Sequence, residues 1–432
     1  MRIAFLLHNA YAVGGTTRTT LNLAAALAPR HEVELVSVFR HRAEPWFAVD
    51  PALRLRALVD RRDGSADRAH PEYGLLGGRF PRGDSRAPQY HRLAERRIVE
   101  WLGATDADAV VTTRTGLNVL LAGFGPARAL RIGQEHLTHD SHPHALRRTL
   151  QRHYGALHAL VTTTEADARA HRTGLRVPGL RILAIPNGVP DPGGPYADAG
   201  ATTIVAAGRL TRVKRFPMLV DAFARVAGDF PGWTLRIYGD GPERRAVADR
   251  IDRHGLRGRA ELAGLVTPLE REWARGSVAA VTSARESFGM TIVEAMRCGL
   301  PVVSTDCPLG PREILRHGID GLLVPRDDVD AFARSLRLLM ADRGLRARMG
   351  EAARTHASRR FDPAVIAGRY DALLASLSPP APAAPATSPT PPAPAAPAGG
   401  GRPRFGAVPV AVATVRIRGQ AVGRRVAGWG RR

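Results

Sequence analysis

The sequence predicts an α/β protein built from two doubly wound domains, and three observations carry that prediction. Short apolar runs of strand length alternate with amphipathic runs of helix length along most of the chain, the pattern of parallel sheets covered by helices on both faces. The alternation breaks once, in a Pro/Gly-rich stretch from residue 185 to residue 200, and then restarts. The chain has 432 residues, 44% of them hydrophobic, which is enough for two sizeable cores.

In the first half, strands are expected at 2–7, 33–38, 109–113, 131–134 and 160–164. After the break they are expected at 203–207, 234–238, 261–265, 278–282, 302–305 and 321–324, with helices between them. The resulting division is 1–190 for the first domain, 191–361 for the second and 362–377 for a final helix returning to the first domain. Residues 60–90 are rich in Arg, Gly, Pro and Asp and poor in apolar positions, which predicts a long mobile loop. Residues 378–432 form a low-complexity, basic tail that is expected to be disordered: Pro, Ala, Gly, Ser and Thr dominate to residue 401, a composition that cannot bury a core. Beyond them, 402–432 hold eight arginines, no acid and an apolar patch at 408–415, so a segment that binds a membrane surface or a partner is the other reading of that stretch.

Composition excludes several classes. Two cysteines, Cys298 and Cys307, form neither a disulfide framework nor a metal motif, which favours a reducing, cytoplasmic setting. The apolar run from Ile3 to Leu7 is cut by His8 and Asn9, and no uncharged apolar stretch approaches the roughly 18 residues of a membrane span. The net charge of +22 invites a nucleic-acid reading. However, the arginines are dispersed and no recognition module accompanies them, so no nucleic-acid partner is expected. An anionic membrane surface remains a candidate partner, with the protein peripheral to it.

Among 62 Lys+Arg positions there is one lysine, Lys214, in Gly208-Arg209-Leu210-Thr211-Arg212-Val213-Lys214. A chain so biased towards arginine places a lysine where a compact, mobile ammonium is needed. Beside Arg209 the pair suits a polyanion such as diphosphate; one lysine kept by chance on a solvated helix fits as well. A second constellation, Arg285-Glu286-Ser287-Phe288-Gly289-Met290-Thr291-Ile292-Val293-Glu294, spans an expected helix start. Ser287 would cap it and the amides near 288–290 would form an anion site. Eight helical residues rise about 12 Å, which would set Glu286 and Glu294 at opposite ends of a nucleotide-linked ligand; two solvated helix acids are the bland alternative.

With Gly14-Gly15 after the first strand, Tyr238-Gly239-Asp240-Gly241-Pro242 and Gly299-Leu300-Pro301-Val302-Val303, these motifs make residues 1–376 resemble glycosyltransferase family 4. That family has retaining enzymes on the GT-B fold, two Rossmann-like domains with a cleft between them. The resemblance implies that Arg209 and Lys214 hold the donor diphosphate. It also implies that Glu286 lies by donor-sugar hydroxyls, that Glu294 binds the ribose, and that amides around Phe288 and Gly289 touch phosphate. Gly14 and Gly15 would approach phosphate or acceptor, with Arg18 adding charge, although a Gly-Gly turn alone also fits an ordinary strand-to-helix loop. The family's first-domain histidine corresponds to His136, in a chain with His139, His142 and His144 nearby.

No carboxylate stands out as a double-displacement nucleophile, and the family is thought to react on one face of the sugar with the departing phosphate taking the acceptor proton. Arg209, Lys214 and helix amides would stabilise the developing charge, so no metal or other cofactor is expected. Asp106-Ala107-Asp108 has the letters of a metal motif from a different fold and is read as coincidence. Two positions depart from the pattern, Arg215 and Ser287, where the family often has Gly. Cys307-Pro308-Leu309-Gly310-Pro311-Arg312-Glu313-Ile314 resembles a variant in members acting on cell-surface glycans or lipid-linked sugars.

The resulting expectation is a hexose or N-acetylhexosamine transferred from a nucleotide diphosphate, UDP by default, to a glycan, lipid-linked or small-molecule acceptor. The loop at 60–90 would carry acceptor contacts. An inositol-phosphate-type transferase and a non-catalytic binding protein are the alternatives.

Overall fold

The computed structural model describes residues 1–378; the tail expected at 378–432 lies, apart from its first residue, outside them. Thirteen strands build two wholly parallel sheets. The first sheet contains β1 (Arg2–Leu7), β2 (Glu32–Arg40), β3 (Arg54–Asp60), β4 (Ala109–Thr112), β5 (Leu130–Glu135), β6 (Ala159–Thr162) and β7 (Arg181–Ala184), in the order β3-β2-β1-β4-β5-β6-β7. The second contains β8 (Thr203–Ala207), β9 (Thr234–Tyr238), β10 (Ala260–Gly264), β11 (Val278–Val281), β12 (Val302–Thr305) and β13 (Gly321–Val324), in the order β10-β9-β8-β11-β12-β13. Strand order reverses beside β1 in one sheet and beside β8 in the other. Such reversals open a crevice at the carboxyl ends of the strands, where doubly wound folds bind ligands.

The central strands β4, β6, β11 and β12 are buried along their whole length, as strands covered on both faces must be. Two strands lie outside the sequence expectation, β3 and β7, and both are sheet edges. β3 reads Arg-Leu-Arg-Ala-Leu-Val-Asp with its first four positions exposed or half-exposed. An edge strand has one solvated flank and keeps polar residues that hide its apolar signal.

The helix Pro363–Leu377 inserts Ile366, Ala367, Tyr370, Leu373 and Leu374 into the core formed by β1 and the helix Gly15–Leu27. Asp371 adds bonds to Arg30 and His31 at 2.8 Å each. The preceding helix, Arg343–Phe361, packs Ala353, Ala357 and Phe361 into the second domain. The last two helices therefore strap the domains together.

Residues 61–91 are not a loose loop. The Glu95 carboxylate accepts from the amides of Gly78, Arg79 and Phe80, and the Phe80 ring stacks on Tyr90 with centroids 3.6 Å apart. The Arg97 guanidinium grips Asp67 at 2.6 Å. Buried Asp84 accepts from Gly116 N at 3.1 Å. The polar composition that reads as mobility instead supplies side chains that fold the segment onto the helices behind it. No helix among the described residues is long and apolar enough to cross a membrane.

Candidate functional site

A cavity of about 170 Å³ opens between the domains. Its first-domain wall comes from the carboxyl ends of β1, β4 and β5: His8 and Asn9, Thr113 and Arg114, Glu135 and His136. Gly14 and Gly15 at the start of the helix Gly15–Leu27 add to that wall, Arg86 reaches it from the anchored loop, and Arg209 closes it from the second domain. Four of the expected site residues, Gly14, Gly15, His136 and Arg209, thus line one space at the strand-order reversal. A larger cavity of about 600 Å³ lies at the opposite edge of the first sheet, around Arg2, Glu32 and Asp106, away from the strand ends where such folds bind ligands. Asp106 and Asp108 there bind the guanidinium and amide of Arg2, a structural task that accounts for the Asp-Ala-Asp letters.

The second-domain wall depends on glycine. Gly239 (φ 141°) and Gly241 (φ 156°) follow β9, and a Cβ on either would run into the carbonyl oxygen of Gly208 or Leu210. Their absent side chains let the turn after β9 pack against the turn after β8, fixing residues 208–214. The Thr282 hydroxyl donates to Lys214 O at 2.9 Å and secures the far end. Arg215 adopts the left-handed conformation (φ 53°), which is why glycine suits this position. Its guanidinium donates to Asp327 at 2.6 Å and to Arg326 O at 2.8 Å, which offsets part of the backbone strain.

Lys214 Nζ donates to Glu286 Oε1 at 2.5 Å, and Ser283 Oγ donates to the same oxygen at 2.6 Å. The two charged residues singled out from the sequence are therefore partners. The helix carrying Glu294 is Met290–Arg297, with Gly289 (φ 116°) as its N-cap and no side-chain cap. This corrects two expectations: Ser287 is not the cap, because the helix begins only after Gly289, and the Ser287 carbonyl accepts from Thr163 Oγ1 of the first domain at 2.8 Å. Nor is the stretch from Glu286 to Glu294 helical throughout, so the 12 Å rise does not apply. Glu286 instead pairs as a β-bridge with Leu309. Gly310 allows that approach, since a Cβ there would strike the Phe288 carbonyl. The Phe288 side chain is buried against Phe361, with ring centroids 5.7 Å apart, so only its backbone can face a ligand.

Glu294 is half-buried. Desolvation pushes its carboxyl up to about 7; neighbouring Glu270 pushes the same way, while Arg18 and Lys214 oppose it. Arg18 forms an ion pair with Glu270 across the domain boundary, so its charge is engaged there rather than free.

His136 follows β5, and Gln134 Oε1 accepts from its Nε2 at 3.3 Å. Burial holds the imidazole down at about 4, so it is neutral near pH 7. Beneath it lies Glu135, which sequence reasoning passed over. Burial alone would raise that carboxyl, but His142, His171 and Tyr154 outweigh it and hold it at about 2. Thr115 Oγ1, Asn118 Nδ2 and Tyr154 OH donate to Glu135 at 2.8, 3.0 and 2.6 Å. A strand-end carboxylate directly before the candidate histidine was the available signal. His139 and His142 are buried in this cluster rather than presented to the cavity.

Residues 201–342 match the family model described as glycosyl transferases group 1. An exopolysaccharide phosphotransferase of Streptomyces coelicolor is 35% identical over 87% of this chain, but the chain spans only 41% of that protein's length. A lipopolysaccharide core biosynthesis glycosyltransferase, LpsE of Rhizobium meliloti, is 34% identical over 41% of this chain and 51% of its own length. Among solved structures, TarM of S. aureus, determined in complex with UDP, superposes with a TM-score of 0.71 at 14% identity, covering 86% of this chain and 99% of TarM. The chain has the GT-B fold, with a glycosyl transferases group 1 domain over residues 201–342.

Proposed function

We propose that the chain is a retaining glycosyltransferase of family 4 that moves a hexose or N-acetylhexosamine from a nucleotide diphosphate sugar to an acceptor hydroxyl. The observation that carries this reading is the inter-domain cavity onto which Gly14, Gly15, His136 and Arg209 converge. The group 1 match over 201–342 supports it. UDP is the favoured nucleotide, since the TarM structure holds it, and the acceptor is a glycan, lipid-linked or small-molecule hydroxyl.

In this reading Arg209, Lys214 and the uncapped amides at the start of the helix Met290–Arg297 receive the diphosphate. The C1–O bond to diphosphate breaks while a bond from the acceptor oxygen to C1 forms on the same face, and the acceptor proton passes to the departing phosphate oxygen. Cations and helix amides stabilise the charge that builds on the leaving group, so the reaction runs without a metal. Neutral His136 accepts or donates a hydrogen bond to a donor-sugar hydroxyl. Glu286 and Glu294 take hydroxyls of the sugar and ribose, both groups being acceptors when ionised. Donor binding shares the Lys214–Glu286 pair between sugar and phosphate rather than breaking it.

The test is nucleotide release from UDP-, GDP-, ADP- and dTDP-sugars, together with thermal shifts by the four nucleoside diphosphates, with EDTA or magnesium present. Stabilisation by one nucleotide, unchanged by EDTA, and turnover of its sugar are expected. Folded protein that responds to none of them would sink the proposal.

A further inference from the structure

The cavity holds more positive charge than a donor site on the second domain explains. Arg209 faces it from that domain, while Arg86 and Arg114 face it from the first. Arg114 is engaged: its guanidinium donates to Asp84 Oδ1 and, at 3.1 Å, to Ser85 Oγ. Asp84 also accepts from Gly116 N, so its one negative charge is shared. Neither Arg86 nor Arg209 forms an ion pair among the described residues. Arg86 and Arg209 thus bring two positive charges without an ion-pair partner to the cavity wall, and the carboxylate that lines it, Glu135, is engaged by Thr115, Asn118, Tyr154 and His142. The surplus is felt nearby: burial first, then Arg86 and Arg114, hold the His8 imidazole down at about 3.

A second observation points to a ligand. Thr113 is 2% exposed, lines the cavity, and its hydroxyl has no hydrogen-bond partner. Buried hydroxyls are normally satisfied, and Thr113 sits at the carboxyl end of β4 directly before Arg114. An orphaned donor in a cavity that Arg86 lines without a counter-charge suits an oxyanion, whose paired oxygens match the guanidinium fork and accept a hydroxyl proton as well.

We infer that Arg86, Arg114 and the Thr113 hydroxyl form a subsite for an oxyanion carried by the acceptor, a phosphate or a carboxylate, so that the enzyme glycosylates an anionic sugar or sugar phosphate. This rests on the proposed function, which assigns the donor diphosphate to Arg209 and Lys214 on the other wall. The acceptor's charge is then held by the first domain and its hydroxyl is presented towards the donor.

The experiment is calorimetric titration of the intact chain, saturated with UDP, with inorganic phosphate, D-glucuronate and glucose. Phosphate or glucuronate should bind while glucose does not, and the stronger of the two identifies the oxyanion. Arg86→Gln, which removes no ion pair, should weaken that anion at least tenfold and change UDP affinity less than twofold. Thr113→Val should weaken the anion about threefold. Uptake of neither anion by UDP-saturated protein would overturn the inference. An equal loss of UDP affinity in Arg86→Gln would also overturn it, by assigning these arginines to the donor. If UDP itself fails to bind, the donor assignment falls separately. Phosphate titration of the free chain then decides the subsite: loss in Arg86→Gln upholds it, and loss in Arg209→Gln alone refutes it.

Discussion

Replacing Lys214 with Ala is expected to lower both stability and turnover, for two causes that a second substitution separates. Glu286 is 9% exposed and holds two donors, Lys214 Nζ and Ser283 Oγ. Without the ammonium, its carboxylate keeps one hydrogen bond and no counter-charge. Breaking a fully buried pair costs about 3–5 kcal/mol. The Lys214 side chain is 23% exposed, so water screens part of this and about 2 kcal/mol is the working figure. In a domain of this size that lowers Tm by about 4–8 °C. Turnover loses a cation at the leaving phosphate, an effect comparable with removing one oxyanion donor, about 10²–10³ in kcat.

Adding Glu286→Gln to Lys214→Ala removes the orphaned charge while the amide oxygen keeps the Ser283 bond. The double variant should therefore regain most of the lost Tm. Its turnover should stay at the single variant's level or below, because the contact of Glu286 with the donor sugar is lost as well. Differential scanning fluorimetry and a nucleotide-release assay on the same preparations read the two outcomes. Turnover restored to within tenfold of wild type in the double variant would refute the catalytic assignment, and an unchanged Tm in Lys214→Ala would refute the ion pair.

Glu294 carries a pH signature. Its folded-state pKa of about 7 lies above the ordinary 4.5, so the folded chain binds the extra proton between those values. Stability should then fall as pH rises from 5 to 8, and thermal melts of Glu294→Gln should show a smaller fall; parallel pH profiles would contradict this. Gly239→Ala puts a side chain at φ 141° against the Gly208 carbonyl. Strain of about 1–3 kcal/mol and displacement of residues 208–214 should weaken UDP at least tenfold by calorimetry, and unaltered affinity would separate this turn from the donor site. Glu313, from the second domain, accepts from the amides of Glu165 and Ala166 at 2.8 Å each, at the start of the first-domain helix Glu165–Leu175. Glu313→Ala should cost about 1 kcal/mol as a lost cap and enlarge the radius of gyration in small-angle scattering; an unchanged radius would show that the other cross-domain contacts suffice.

Legibility from sequence followed burial. The second-domain strands could be read closely because helices cover both faces, leaving continuous apolar runs such as Val278–Val281. β3 escaped because its edge position keeps Arg54, Arg56 and Asp60 among its apolar residues. The start of the helix at Met290 was misplaced for a related reason. A serine before an apolar run is a common cap, yet the left-handed turn at Gly289 and the close approach of Gly310 move the cap two residues on. Neither contact leaves a trace in local sequence.

The same compositional bias both revealed and concealed the site. In a chain with 62 basic residues and a single lysine, Lys214 stands out, and its partner Glu286 can be found eight positions from a second acid. Arg86 and Arg114 look like any other arginine in that background, although they supply the cavity's first-domain charge. What could have marked Arg114 is position: it lies two residues past a short buried strand, at the edge where doubly wound sheets bind their ligands. Arg86 had no such mark. It reaches the cavity because Asp84 is tied to the start of the helix Thr115–Phe124 and Phe80 is stacked on Tyr90. Those long-range contacts turn a segment that reads as a loose polar loop into part of the first-domain wall of the cleft.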